Sequence, residues 1–213
     1  MNPAITSTWE QRLSDLGNVP ASRIVADPPP GTATINDAVR IRDTDGRICE
    51  VVDSTLVEKV MGWQESLLAG FIIHWLHSFL EEKNLGVVTG ADGMTRLFGD
   101  TVRGPDVAYI SWDRLPNRSL PTDPIPSIVP NFVVEVLSIG NTYSEMSRKR
   151  REYFHAGVEL LWMVHPRERS VTIYRTAQDA EVVYEGRVTG EQVLPGWFID
   201  CEQLFSKLDQ QAP

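Results

Sequence analysis

The chain has 213 residues, 42% of them hydrophobic and 23% charged, which suits one folded domain with a sizeable core and excludes a disordered chain. Its net charge of −9 excludes a surface coated with basic patches for general nucleic-acid binding, though not a local basic groove. Cys49 and Cys201 have no metal-like spacing, the polar start shows no signal pattern, and LLAGFIIHWLHSFL is too short for a membrane span, so a soluble cytoplasmic protein with reduced thiols is expected.

Residues 1–33 read as an extended, loosely packed arm ending in DPPPG, where three prolines force an extended backbone, and 34–213 as a single domain. RICEVVD and TLVEKV are β-rich runs that form a hairpin about Ser54. From Gly62 to Asn84, Leu68, Ile72, Trp75 and Phe79 recur at helical spacing, with Gly86 as the exit. GVVTG, MTRLF and DVAYI follow as strands, then a proline-rich loop over 114–130. NFVVEVLS is the near-continuous apolar strand expected when both faces are buried. A helix over 143–156 has Thr142 and Glu145 as its capping box and Gly157 as its end. ELLWMVH and SVTIYRT are two more strands about a PRER turn, and LPGWFID and a short amphipathic CEQLFSKL close the chain. No internal repeat is present. This order predicts an α/β or α+β fold with a mixed central sheet flanked by helices.

One residue disturbs the pattern. Glu135 places a carboxylate inside FVVEV, where burial without a partner costs several kcal/mol. Asp106, just after Pro105, opens another strand, and the 29 positions between them leave room for that strand, its loop and a neighbour. Adjacent strands would bring both carboxylates to one edge of the sheet. On the following helix Met146, Arg150 and Tyr153 define an inward stripe, which Lys149 shares at three after Met146 and four before Tyr153. Two carboxylates and a lysine are the working parts of a hydrolase that uses a hard divalent ion such as Mg²⁺ or Mn²⁺.

RGPDVAYI, VVEVLSIGNT and EMSRKRREYFHAGVELLWMVHP together resemble the Uma-type family of endonucleases, of the restriction-endonuclease-like PD-(D/E)XK superfamily, over roughly residues 48–175. The resemblance implies a restriction-endonuclease-like core and a single divalent-metal site held by Asp106 and Glu135, with the backbone carbonyl near Val136 assisting. It also implies DNA as the substrate, and a superfamily whose members often act as dimers. The superfamily's usual lysine would fall at Leu137, and Lys149 in the next helix takes its place. Where relatives often have a histidine, on the first helix, this chain has Glu65, which would supplement the metal shell directly or through water.

Each residue also has a plainer reading. Asp106 suits a strand start, and Glu135 a salt bridge to Lys149 or Arg150. Lys149 suits an ion pair with Glu145 four residues before it, and Glu65 a solvated first-turn acid. Glu58 shares a strand face with Leu56 and Val60 and is a weaker candidate. His74 and His77 lack a third ligand and read as helix-face histidines. SRKRRE reads equally as a phosphate contact or as a solvated face balanced by Glu145 and Glu152, and Tyr153 reads as packing. Three functions follow: a metal-dependent DNA endonuclease, a catalytically silent nuclease-like binding or assembly module, and a hydrolase of another phosphoester.

Overall fold

The computed structural model describes residues 8–209. In chain order these form α1 (Trp9–Asp15), α2 (Ile35–Asp45), β1 (Cys49–Val52), β2 (Thr55–Glu58), α3 (Trp63–Lys83), β3 (Gly86–Gly90), β4 (Thr95–Phe98), β5 (Thr101–Arg103), β6 (Val107–Ser111) and β7 (Phe132–Val136). They continue with α4 (Tyr143–Ala156), β8 (Leu160–His165), β9 (Ser170–Tyr174), β10 (Ala180–Val183), β11 (Arg187–Thr189), β12 (Phe198–Asp200) and α5 (Cys201–Ser206). A six-stranded sheet runs β10-β9-β8-β7-β6-β3, and a four-stranded sheet runs β2-β1-β5-β4. Only the β7–β8 pair in the larger sheet is parallel, because α4 carries the chain back between them, so the sheet is mixed as predicted.

Alternation along β7 sorts the core into two faces. Phe132, Val134 and Val136 meet Leu68, Ile72, Leu76 and Leu80 of α3, while Val133 joins Leu161, Met163, Met146 and Tyr153 on the α4 side. Glu135 lies on that second face. The α3 helix ends at Asn84, which takes the left-handed conformation (φ 49°) expected of a C-cap, so Gly86 begins β3 instead of ending the helix. The helix α4 has the bounds its caps predict, with the Thr142–Glu145 capping box formed and Gly157 left-handed at φ 107°.

Residues 8–33 are less extended than the sequence suggests; residues 1–7 of the expected arm lie outside the described residues. The segment holds α1 and buries Leu16 and Val19 against Val52 and Val57 of the hairpin. Apolar residues outside the proline run drive this packing, which the prolines alone did not reveal. The hairpin turns through Asp53 and Ser54, both left-handed (φ 46° and 52°), as a two-residue turn of this hand requires. The strand β5, absent from the sequence expectation, is three residues long, too short to show a period. No helix among the described residues is long and apolar enough to cross a membrane.

Candidate active site

Pairing of β6 with β7 runs from Tyr109↔Phe132 to Val107↔Val134, which puts Asp106 beside the end of β7. Its side chain then continues the ladder: Asp106 Oδ2 accepts from the Val136 N–H at 2.6 Å. Its other oxygen, Oδ1, lies 2.7 Å from Lys59 Nζ, and that ammonium also donates to the Gly104 carbonyl. Asp106 and Glu135 therefore stand at neighbouring strand ends, in the middle of the six-stranded sheet and not at its lateral edge, each carboxylate held by its own partners.

Glu135 is 4% exposed and Lys149 3%. Lys149 Nζ stands 3.2 Å and 3.3 Å from the two Glu135 oxygens, and Tyr153 donates its hydroxyl to Oε1 at 2.5 Å. The helix face deduced from Met146 and Tyr153 is thus the face that looks back at β7. Lys149 makes its shorter contact elsewhere, 2.9 Å to Glu50 Oε1. Glu50, on β1 of the smaller sheet, is 1% exposed and also accepts from Arg103 at 2.6 Å. Arg103 reaches on to Glu152 (2.8 Å from Nε), Glu152 to Arg148 (2.6 Å), and Arg148 to Asp53. A continuous line of alternating charge therefore runs from the hairpin turn to Glu135.

Burial works against every charge in this line, and the neighbours decide which survives. For Glu50 burial favours the neutral acid, but Lys149, Arg103 and Lys59 outweigh it and hold its carboxyl well below the usual range. For Glu135 burial prevails over Lys149 and Lys59, with Asp106 and Glu50 adding repulsion, so its pKa lies above its ordinary 4.5. Burial pulls Lys149 down, yet Glu135 and Glu50 together carry it above its ordinary 10.5, and the ammonium is retained. Glu50 is the firm counter-ion of Lys149, and Glu135 is the carboxyl that burial pushes towards the neutral acid. Burial, together with Glu135 and Glu50, raises the Tyr153 phenol well above 10, so it donates to Glu135 as a neutral hydroxyl.

Glu50, Lys59, Arg103 and Glu152 are members that the sequence reading missed or placed elsewhere. The signal for Glu50 was present: ICEVV embeds a carboxylate in an apolar strand just as FVVEV does. Tyr153 is more than packing. The helix pair expected between Glu145 and Lys149 does not form, because Glu145 is taken by Arg23 at 2.8 Å. SRKRRE is not a uniformly solvated face, since Lys149 and Glu152 of that turn are buried. Glu58 pairs with Arg47 at 2.5 Å, and His74 and His77 are exposed on α3. Glu65 sits in the first turn of α3, its carboxylate folded back over Gly62, and no hydrogen bond or ion pair joins it to Asp106 or Glu135 among the described residues.

Among the described residues no three His, Cys, Asp or Glu side chains gather at one point. A metal here would rest on two carboxylates, main-chain oxygen and water, a set that suits Mg²⁺ or Mn²⁺ and not a cage-bound ion. The donors fit such an ion in chemistry, and the ammoniums of Lys59 and Lys149 already hold positive charge against both carboxylates.

The mixed sheet with a helix on each face is a restriction-endonuclease-like fold. Residues 36–202 match the family Uma2, described as "Putative restriction endonuclease", and the chain belongs to this family. A solved structure from Anabaena variabilis, described as a putative nuclease belonging to DUF820, shares the fold with a TM-score of 0.71 at 21% identity, over 82% of this chain and 98% of that one. No curated protein matches the sequence.

Proposed function

We propose that the protein is a divalent-metal-dependent endonuclease acting on DNA phosphodiester bonds, at a centre formed by Asp106, Glu135 and Lys149. The observation that carries this reading is Lys149, which comes from the helix after β7 and still places its ammonium against the Glu135 carboxylate. Asp106, Glu135 and the Val136 carbonyl would hold the ion, which when bound would polarise a phosphoryl oxygen and acidify a water. The Val136 N–H fixes the Asp106 carboxylate by taking Oδ2, which leaves Oδ1 as its free face once Lys59 withdraws. Tyr153 and Lys149 orient Glu135 from the α4 side, and Glu50 keeps Lys149 charged, so that its ammonium can align an attacking water or offset charge on the phosphoryl group. Glu65 lies outside this set of contacts, and a supporting role for it would act through water.

The second reading, a silent nuclease-like module, is favoured by one observation: Asp106, Glu135 and Glu50 are each paired to a cation and under 5% exposed. Supercoiled plasmid incubated with the protein and Mg²⁺ or Mn²⁺ separates the two. Nicked or linear product that disappears in Asp106→Asn and Glu135→Gln supports the nuclease. Calorimetric Mn²⁺ binding without any cleavage of supercoiled, linear or branched DNA leaves the silent module.

A further inference from the structure

Most arginines of this acidic chain are tied to carboxylates, as Arg23, Arg47, Arg103, Arg114, Arg148 and Arg175 show. Among the described residues Arg150, Arg151 and Arg167 form no ion pair with a carboxylate. Two of these three border one groove. Its inner part, a cavity of about 250 Å³, is lined by Ser138, Ser147, Arg150, His165 and Tyr174 over an apolar floor that includes Leu137. It continues past Leu137, Ser138 and His165 to Arg167 in the β8–β9 turn.

Arg150 is set there in a particular way. Its guanidinium lies 4.8 Å from the Tyr174 ring centre, and one terminal nitrogen makes a long 3.4 Å contact to the Ser147 hydroxyl. Its Nε is buried without a hydrogen-bond partner. A stacked, half-buried guanidinium with a donor left over and no acid beside it is an oriented receptor for a phosphate or carboxylate. The one carboxylate on the groove among the described residues is Glu168, which is exposed at the outer end, 4.0 Å from His165 Nδ1. The groove starts at Leu137, just past the end of β7, two residues beyond Glu135 and on the same α4 side. That is about 7 Å along the strand, or about two nucleotide steps of rise.

We propose that this groove is a phosphate-binding subsite that seats the backbone of the nucleic-acid strand beside the reaction centre, with Arg150 as the inner contact and Arg167 as the outer one. The proposal rests on the nuclease reading and adds to it the direction the strand takes, from Glu135 across β7 towards the β8–β9 turn. It also explains how a chain of net charge −9 approaches a polyanion: through the few arginines its own acids leave unneutralised.

The test is fluorescence anisotropy of a labelled DNA duplex with the full chain in EDTA, across a series of salt concentrations. Arg150→Gln and Arg167→Ala are each expected to weaken binding on the order of 5–10-fold at about 0.1 M salt and to lower the slope of log K against log salt by about 1. Arg151→Ala removes an exposed arginine of α4 that does not line the groove, although it donates to the Ser147 hydroxyl at its rim, and is expected to leave the slope unchanged. Arg167 is exposed and makes no ion pair, so its loss does not threaten the fold as the loss of the Arg150–Tyr174 stack would. Wild-type binding with Arg150→Gln and Arg167→Ala indistinguishable from Arg151→Ala overturns the groove and leaves the nuclease reading standing. A wild-type protein that binds no DNA at any salt in EDTA also overturns the groove, and the nuclease reading then stands or falls on the plasmid assay with Mg²⁺ or Mn²⁺.

Discussion

On the α3 side of the six-stranded sheet, Leu68, Ile72, Leu76 and Leu80 pack on Val107, Phe132, Val134 and Trp162, an apolar cluster among the described residues. On the α4 side the apolar Met146, Tyr153 and Leu161 share the interior with Lys149, Glu135 and Glu152. One face gains free energy by removing hydrocarbon from water, at roughly 25 cal/mol per Å². The other must recover the cost of dehydrating ions by pairing them, and such pairing often only breaks even. The difference indicates that α3 maintains the fold, while the α4 face carries charges that stability alone does not require.

Breaking each face separately tests this division. Lys149→Met strands Glu50 and Glu135 together without their shared cation, with an expected loss of about 3–5 kcal/mol in urea unfolding and loss of cleavage. Adding Glu50→Gln and Glu135→Gln to that variant is expected to recover much of the stability and none of the activity. Leu76→Ala on the α3 face is expected to cost about 2–5 kcal/mol by the same measurement while leaving the rate per folded molecule unchanged. Equal rate loss in both variants would erase the distinction between the faces.

Smaller effects sharpen it. Lys59→Met frees Asp106 Oδ1, and calorimetry is expected to show Mn²⁺ binding tighter on the order of tenfold, about 1.4 kcal/mol. Weaker binding would instead make Lys59 a support of the site. The pH dependence has two opposing parts. The depressed pKa of Glu50 gives stability that is present above its ordinary 4.5 and is lost as pH falls through the folded value. The raised pKa of Glu135 does the reverse: the folded state is favoured while this acid is protonated, and stability drops as pH rises from 4.5 through its folded value. Urea midpoints of Glu135→Gln are therefore expected to stay flatter than wild type as pH rises above 4.5, with the acid-side loss intact. Smallest of all, Glu65→Gln is expected to change stability by about 0.3–1 kcal/mol, as a first-turn acid does, and to leave Mn²⁺ affinity unchanged.

The α4 half of the site was legible because a capped helix fixes the direction of every side chain on it. Once Thr142 and Gly157 set the bounds, the placing of Lys149 beside Met146 and Tyr153 followed. Glu135 was legible as a carboxylate misplaced in a strand, and Asp106 as one standing just ahead of another. Glu50 carried the same mark, but its strand belongs to the other sheet, and nothing in the local pattern around β1 reveals which sheet will stack against α4. Lys59 and Arg103 become visible only through contacts across 45 and 53 positions of sequence, to Gly104 and to Glu50. The strands β5, β10 and β11 and helix α1 were missed because three to seven residues are too few for a period to stand out, and α2 was missed although its eleven residues begin with a Thr34–Asp37 capping box.

The lysine's seat on a crossover helix has a consequence for which insertions and deletions this chain can tolerate. Each residue added between β7 and α4 would turn the helix by about 100° relative to the sheet unless the loop absorbed it, carrying Lys149 away from Glu135. A lysine on the strand itself would be immune to that loop's length. The connection from Leu137 to Thr142 is therefore held to a fixed count, while the exposed stretch 116–124 of the proline-rich loop, which joins two strands already locked in register, is freer to lengthen or shrink.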